Sequence, residues 1–186
     1  MILEVLLPSL LTCHEASLIS LCVADAGSED ASHLKQKLED ALPGRVTFLT
    51  VEGGFSRSKL FNRAVQAAQT ELLFITDADI SLPPDLVEQV NRKTDAKRLW
   101  FPVCRAMLNA SGSAWEWYSE GMGVMACTKT QYNTVGGYNE AFTTWGGEDQ
   151  EFYLRCWKQE YFCLRTREYN LVHHWHPSQP GAKKQW

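Results

Sequence analysis

What this sequence lacks narrows its function before any motif is read. No apolar run in its 186 residues approaches the ~20 needed to cross a bilayer, so no transmembrane helix is expected. The N-terminal stretch "MILEVLLPSLLTCHEASL" has no basic leading region. Glu4 and Pro8 also interrupt it, so it does not read as a signal peptide. Positive charge is not in excess: 18 Lys and Arg stand against 22 Asp and Glu, for a net charge of -4. No global field therefore favours nucleic acid or an anionic membrane, and the local stretch "KTDAKR" (93–98) reads as a solvated loop. The six cysteines never form C-x-x-C, which argues against a structural zinc site. Most of them sit among apolar neighbours, as buried free thiols do, and they leave the compartment open. No repeat or low-complexity segment is present.

What is there suits one folded domain with a sizeable core: 45% of the residues are hydrophobic and 22% charged. Apolar positions in "ILEVLLPSLLTCHEA" fit a helix with Pro8 as its irregularity. Strands are expected at 18–25 and over "RVTFLTV", with the helix "SEDASHLKQKLEDAL" between them and Gly44 after it. An amphipathic helix follows from about Ser56. "ELLFIT" (71–76) is a short continuous apolar run, as in a strand buried on both faces. A helix near 84–92 and the strand "RLWFPV" complete the first half. Alternating strands and helices predict an α/β layered fold around a largely parallel sheet, with ligands beyond the carboxyl ends of the strands. The second half, from about residue 104, is richer in Gly and Trp.

Three clusters could carry chemistry. Asp77-Ala78-Asp79 follows the buried strand; in extended backbone, residues two apart face the same way, so both carboxylates could meet one ligand. Paired carboxylates repel unless a cation or a proton intervenes, and hard divalent ions suit oxygen ligands and bridge to phosphates. The same acids could equally be solvated, or cap the next helix. "Val172-His173-His174-Trp175-His176-Pro177" puts three of the five histidines into four positions, although H-x-x-H spacing alone does not choose between His173 and His176. In "Trp145-Gly146-Gly147-Glu148-Asp149", two glycines permit backbone angles that other residues resist. The helix "EDQEFYLRCWKQ" then begins, with Glu148 and Asp149 in its first turn, where the helix dipole favours the ionised form. Acids there are ordinary helix-start residues; they are also placed to take a proton from a hydroxyl. Trp145 could offer a flat apolar surface to a sugar ring or simply pack in the core. "Asn109-Ala-Ser111" matches a glycosylation acceptor pattern.

Four blocks in order resemble the β-1,4-galactosyltransferase and chondroitin N-acetylgalactosaminyltransferase family, whose members are inverting, metal-dependent enzymes of the GT-A fold. They are "GFSRSKLFNRAV" (54–65), "LLFITDADISLPPDL" (72–86), "GMGVMACTKTQYNTVGGYNEAFTTWGGEDQEFYLR" (121–155) and "LVHHWHP" (171–177). "LWFPV" and "AWEWY" lean toward the chondroitin branch. The resemblance implies that Phe55 and Arg57 contact the uridine nucleotide and that Asp77 and Asp79 form the D-x-D motif. Asp79 and His176, with His173, would bind Mn²⁺ or another divalent cation. Trp145, Gly146, Gly147 and Glu148 would line the acceptor, and Asp149 would stand in the catalytic base position. The implied partners are a UDP-sugar donor and a glycan acceptor, with no nucleic acid. The implied location is the Golgi. One domain over 1–186 is expected, with a donor-binding half to about 103 and an acceptor and metal half from about 104.

The family pattern opens with an apolar strand ending in Pro and a basic residue, and this chain is expected to start after it. The stretch "MILEVLLP" could be that strand, but the spacing favours a helix. A partner subunit or a missing N-terminal segment would then complete the sheet. A non-catalytic subunit of the same fold is the alternative from a different class. A nucleotidyltransferase using D-x-D is a third, which the "WGGED" and "HHWH" blocks do not suit.

Overall fold

The computed structural model describes residues 1–143 and 146–177; Thr144, Trp145 and 178–186 lie outside the described residues. The N-terminal stretch is helical, as the spacing predicted. A π-helical turn, Ile2–Leu6, runs into α1, Leu7–Leu11. Pro8 explains the change of pitch. It has no N–H to donate four residues back, and its ring crowds the carbonyl there, so the preceding turn widens.

Strand β1 (Leu21–Asp25), helix α2 (Ala31–Ala41) and strand β2 (Val46–Thr50) form a parallel pair with its crossover helix. Helix α3 (Arg57–Ala67) starts at Ser56, whose hydroxyl accepts from the Lys59 N–H at 3.4 Å. Strand β3 (Leu72–Ile75) leads through a turn to the short strand β4 (Ile80–Ser81) and helix α4 (Leu86–Lys93). The expected single strand "RLWFPV" is two: β5 (Arg98–Trp100) and β6 (Val103–Met107), which belong to different sheets. Pro102 lies between them and cannot donate to a ladder, so the chain changes sheets there. Strand β7 (Trp115–Trp117) closes a hairpin on β6. Then come β8 (Met125–Thr128), α5 (Lys129–Val135), α6 (Glu148–Lys158), β9 (Phe162–Leu164) and β10 (Arg167–His173). Helix α5 is set by a capping box in which Thr128 and Gln131 exchange bonds of 3.0 and 2.8 Å.

The strands order as β3-β8-β5-β9 and β4-β10-β6-β7, beside the β1-β2 pair. Among the described residues, four of the seven pairings are antiparallel, so the architecture is α/β with mixed rather than mostly parallel sheets. Apolar runs report burial and not direction, which is why the sequence suggested parallel strands. The β3-β8-β5-β9 sheet is a wall between two cores. Leu72, Phe74, Trp100 and Ala126 face one, built with α1, α2 and α4; Leu73, Ile75, Leu99, Met125 and Cys127 face the other, built with α3, α5 and α6. Burial on both faces is what the continuous run "ELLFIT" predicted.

Candidate active site

The antiparallel pairing of β4 with β10 assembles the first part of the site. Ile80 lies opposite His173, and the His174 N–H donates to the Asp79 carbonyl at 2.9 Å. The Asp79 side chain thereby meets both candidate histidines: its Oδ2 is 3.5 Å from His173 Nε2 and 3.3 Å from His176 Nε2. One possible ligand atom from each residue falls within 4.8 Å of the others. Asp79 Oδ1 is buried without a hydrogen-bond partner, an uncommon state for a carboxylate oxygen and one that a cation would relieve. One carboxylate and two imidazoles suit a divalent ion such as Mn²⁺. Both histidines left open by the H-x-x-H spacing are therefore present, whereas His174 turns to the Ser81 hydroxyl at 3.2 Å.

The charges of this cluster are mutually supporting. Burial pushes the Asp79 carboxyl up, but the hydrogen bond from His173 and the charges of His173 and His176 outweigh it and hold it below its ordinary value. The hydrogen bond to Asp79 raises His173 above its ordinary 6.5 despite burial. Burial, followed by the His173 charge, lowers His174.

The D-x-D pair does not act as extended backbone suggested. Asp77 to Asp79 form a turn, with the Ile80 N–H donating to the Asp77 carbonyl at 3.4 Å, and the two carboxylates diverge. Asp77 instead receives two bonds from Arg57, Nε to Oδ1 at 3.0 Å and Nη2 to Oδ2 at 2.8 Å. The same guanidinium donates from Nη1 to Glu148 Oε1 at 2.7 Å. Arg57 and Glu148 are buried, their side chains 8% and 2% exposed. Arg57 thus bonds two carboxylates at once. Glu148 likewise accepts from Arg57 and from the Gly146 N–H at 2.9 Å. Both residues serve as framework, joining the D-x-D turn to the start of α6. Phe55, by contrast, is 59% exposed on the loop ahead of α3 and available to a ligand.

Asp149 occupies the first turn of α6, half-buried. Its Oδ2 accepts the Met122 N–H at 2.9 Å and its Oδ1 the Gln150 N–H at 2.9 Å. Gly146 and Gly147 ahead of it have φ of 105° and 87°, the left-handed region that glycine tolerates, so the helix entry depends on them. Trp145, expected beside the acceptor, lies outside the described residues.

Sequence reasoning missed what holds the loop facing Asp149. Arg165 donates to the Gly121 carbonyl at 2.9 Å and also to the Ser119 carbonyl, anchoring the segment that presents the Met122 N–H. The signal was the glycine pair in "GMG". A Cβ at Gly121 would meet the Tyr118 ring at 2.4 Å, and one at Gly123 would meet Arg57 Nη2 at 2.4 Å. Only glycine fits against either side chain as placed.

Residues 106–176 match the family model described as the N-terminal domain of galactosyltransferase. The mouse (Mus musculus) N-acetyl-beta-glucosaminyl-glycoprotein 4-beta-N-acetylgalactosaminyltransferase 1 is 27% identical over 168 residues, covering 86% of this chain and 16% of the relative. The human (Homo sapiens) chondroitin sulfate N-acetylgalactosaminyltransferase 1 is 23% identical over 184 residues, covering 85% of this chain and 35% of the relative. The crystal structure of GalNAc-T7 with UDP, GalNAc and Mn²⁺ superposes with a TM-score of 0.70 at 15% identity, over 91% of this chain and 40% of that one. The fold is thus GT-A. The chain is similar to these N-acetylgalactosaminyltransferases, and it spans only 16% and 35% of the lengths of the two relatives.

Proposed function

We propose that the protein is a metal-dependent, inverting glycosyltransferase. It moves N-acetylgalactosamine, or galactose or a related hexose, from a UDP conjugate to a sugar hydroxyl, in glycosaminoglycan or glycoprotein glycan synthesis. The observation that carries this reading is the convergence of Asp79, His173 and His176 around an unpartnered carboxylate oxygen. The likeness to a fold crystallised with UDP, GalNAc and Mn²⁺ supports it. The likeness to Golgi glycosyltransferases supports a location in the Golgi. Among the described residues no helix is long and apolar enough to cross a membrane.

Asp79, His173 and His176 would hold the cation, which when bound supplies positive charge against the departing diphosphate. Asp149 accepts the proton of the attacking hydroxyl as that oxygen bonds to the anomeric carbon opposite the diphosphate. The configuration inverts in this single displacement. The Met122 N–H fixes the direction of the Asp149 carboxylate, and the Arg57–Glu148 pair keeps the neighbouring acid out of the reaction. Phe55 supplies an exposed ring on the donor side, with Gly146 and Gly147 on the acceptor side. The test is a panel of UDP-sugars with Mn²⁺, scored for free UDP and for transfer. In parallel, calorimetry should show Asp79→Ala and His176→Ala weakening Mn²⁺–UDP binding by about tenfold or more. Unchanged affinity in both variants would remove the metal site from the proposal.

A further inference from the structure

One face of the β4-β10-β6-β7 sheet carries an exposed strip that the proposed chemistry does not use. The β6–β7 register sets Arg105 opposite Trp117 and Met107 opposite Trp115. These residues alternate with Ala106, whose ladder partner is His173, and so lie on the other side of the sheet from that pair. The Arg105 guanidinium sits 5.3 Å from the Trp115 ring and 4.2 Å from the Tyr169 ring, and that of Arg167 lies 5.3 Å from the Trp117 ring. Trp115 stands nearly perpendicular to both Trp117 and Tyr169, with centroids 5.6 and 6.0 Å away. Large aromatic surface is left in water: Trp115 is 41% exposed and Tyr169 58%.

The charges on this strip are unanswered. Arg57, Lys93, Arg98 and Arg155 each pair with a carboxylate. Among the described residues, neither Arg105 nor Arg167 does. Arg105 Nε is in addition buried with no hydrogen-bond partner. In a chain of net charge -4, two cations held on ring faces and left unpaired form a distinct electrostatic feature. Stacking holds each guanidinium in place while N–H groups remain for oxygen acceptors. Exposed indole and phenol rings offer apolar surface to the C–H face of a pyranose. Glu116 pairs with Ala106 and so lies on the opposite face of the sheet, leaving the strip itself cationic.

We propose that the Arg105–Trp115–Trp117–Arg167–Tyr169 strip is a binding site for an acidic polysaccharide, its carboxylates meeting the two guanidiniums and its sugar faces the rings. As the surface that holds the acceptor chain beyond its reacting end, this role rests on the glycosyltransferase reading; as a binding site it does not.

The test uses the full chain with chelator and no UDP-sugar, and follows tryptophan fluorescence and calorimetry on adding hyaluronan oligosaccharides. Carboxyl-reduced hyaluronan and poly(U) RNA serve as comparison ligands. The expected result is saturable binding of hyaluronan that weakens with salt and is about tenfold or more weaker in Arg105→Gln and in Trp115→Ala. Arg105→Lys, which keeps the charge and loses the planar stack, should fall between. Melting curves and Mn²⁺–UDP affinity of Arg105→Gln should match the parent, which shows that the loss is local. No binding, equal binding of the carboxyl-reduced form, tighter binding of poly(U), or unchanged affinity in both variants overturns the proposal. If hyaluronan binds and no sugar is ever transferred, the strip stands and the catalytic reading falls.

Discussion

Replacing Arg57 with Met tests whether one guanidinium holds the site together. The substitution keeps most of the side-chain volume and removes the charge that Asp77 and Glu148 share. The two arms differ in weight. Asp77 is 39% exposed, so water screens it once Arg57 is gone, and its pairing is worth at most about 1 kcal/mol. Glu148 is 2% exposed and would be left as a buried carboxylate with, among the described residues, only the Gly146 N–H for a partner. Breaking a buried pair in this way costs about 3 to 5 kcal/mol, a large share of the ~5 to 15 kcal/mol that stabilises a domain. Urea unfolding should show that loss as a lower midpoint with an unchanged slope. Arg57→Met combined with Glu148→Gln should recover at least half of the deficit. A loss below about 1 kcal/mol at pH 8, or a double variant no better than the single one, would refute the reasoning.

Asp149→Asn keeps the shape of the proposed base and removes its proton acceptor. Transfer should fall by roughly 10² to 10⁴ while Mn²⁺–UDP affinity stays within a few-fold; near-normal turnover would place the base elsewhere. The metal cluster should also show two opposed pH dependences. His173 is raised in the folded state by Asp79, so its contribution to metal-free stability is full below its ordinary 6.5 and disappears as pH rises through the folded value. Asp79 is lowered, and its contribution disappears only as pH falls through that lowered value. In chelator, unfolding free energy should therefore decline through the His173 titration, and His173→Gln should flatten the decline. Mn²⁺ affinity should rise over the same range, because the ion needs the imidazole unprotonated. Parallel rather than opposed trends would contradict the assignment of His173 as a ligand.

Elements whose signal is local were legible in the sequence. The Ser56 cap, the doubly buried run at 72–75 and the glycine-led start of α6 all came through, because periodicity, capping and glycine chemistry act over a few residues. Pro8 was recognised as an irregularity within a helix, and it widens one turn there. Strand direction was not legible: Leu72–Ile75 pairs antiparallel with β8, and nothing in an apolar run encodes which way its neighbour travels. The break at Pro102 was missed because the apolar residues on either side of it are continuous in sequence while belonging to separate sheets.

The site itself divides along the same line. Asp79, His173 and His176 were candidates by residue type, and as a set only through the family resemblance; the β4–β10 ladder brings them together. Asp77 and Glu148 could be named as well, but their partners could not, since the third member of that group, Arg57, is distant from Glu148 in sequence and close only in the fold. A carboxylate in a motif is read as open to a ligand until a buried cation is found to own it. That distinction separates Asp149, held by backbone N–H groups, from Glu148, one residue away and bound to a guanidinium. Backbone N–H groups orient the Asp149 carboxylate, with the Arg165 charge nearby but no direct ion pair among the described residues, whereas Arg57 bonds directly to Glu148. Arg57 thus ties the start of α6 to the turn that carries Asp79, and the proposed base, Asp149, is the neighbouring acid that it does not bond.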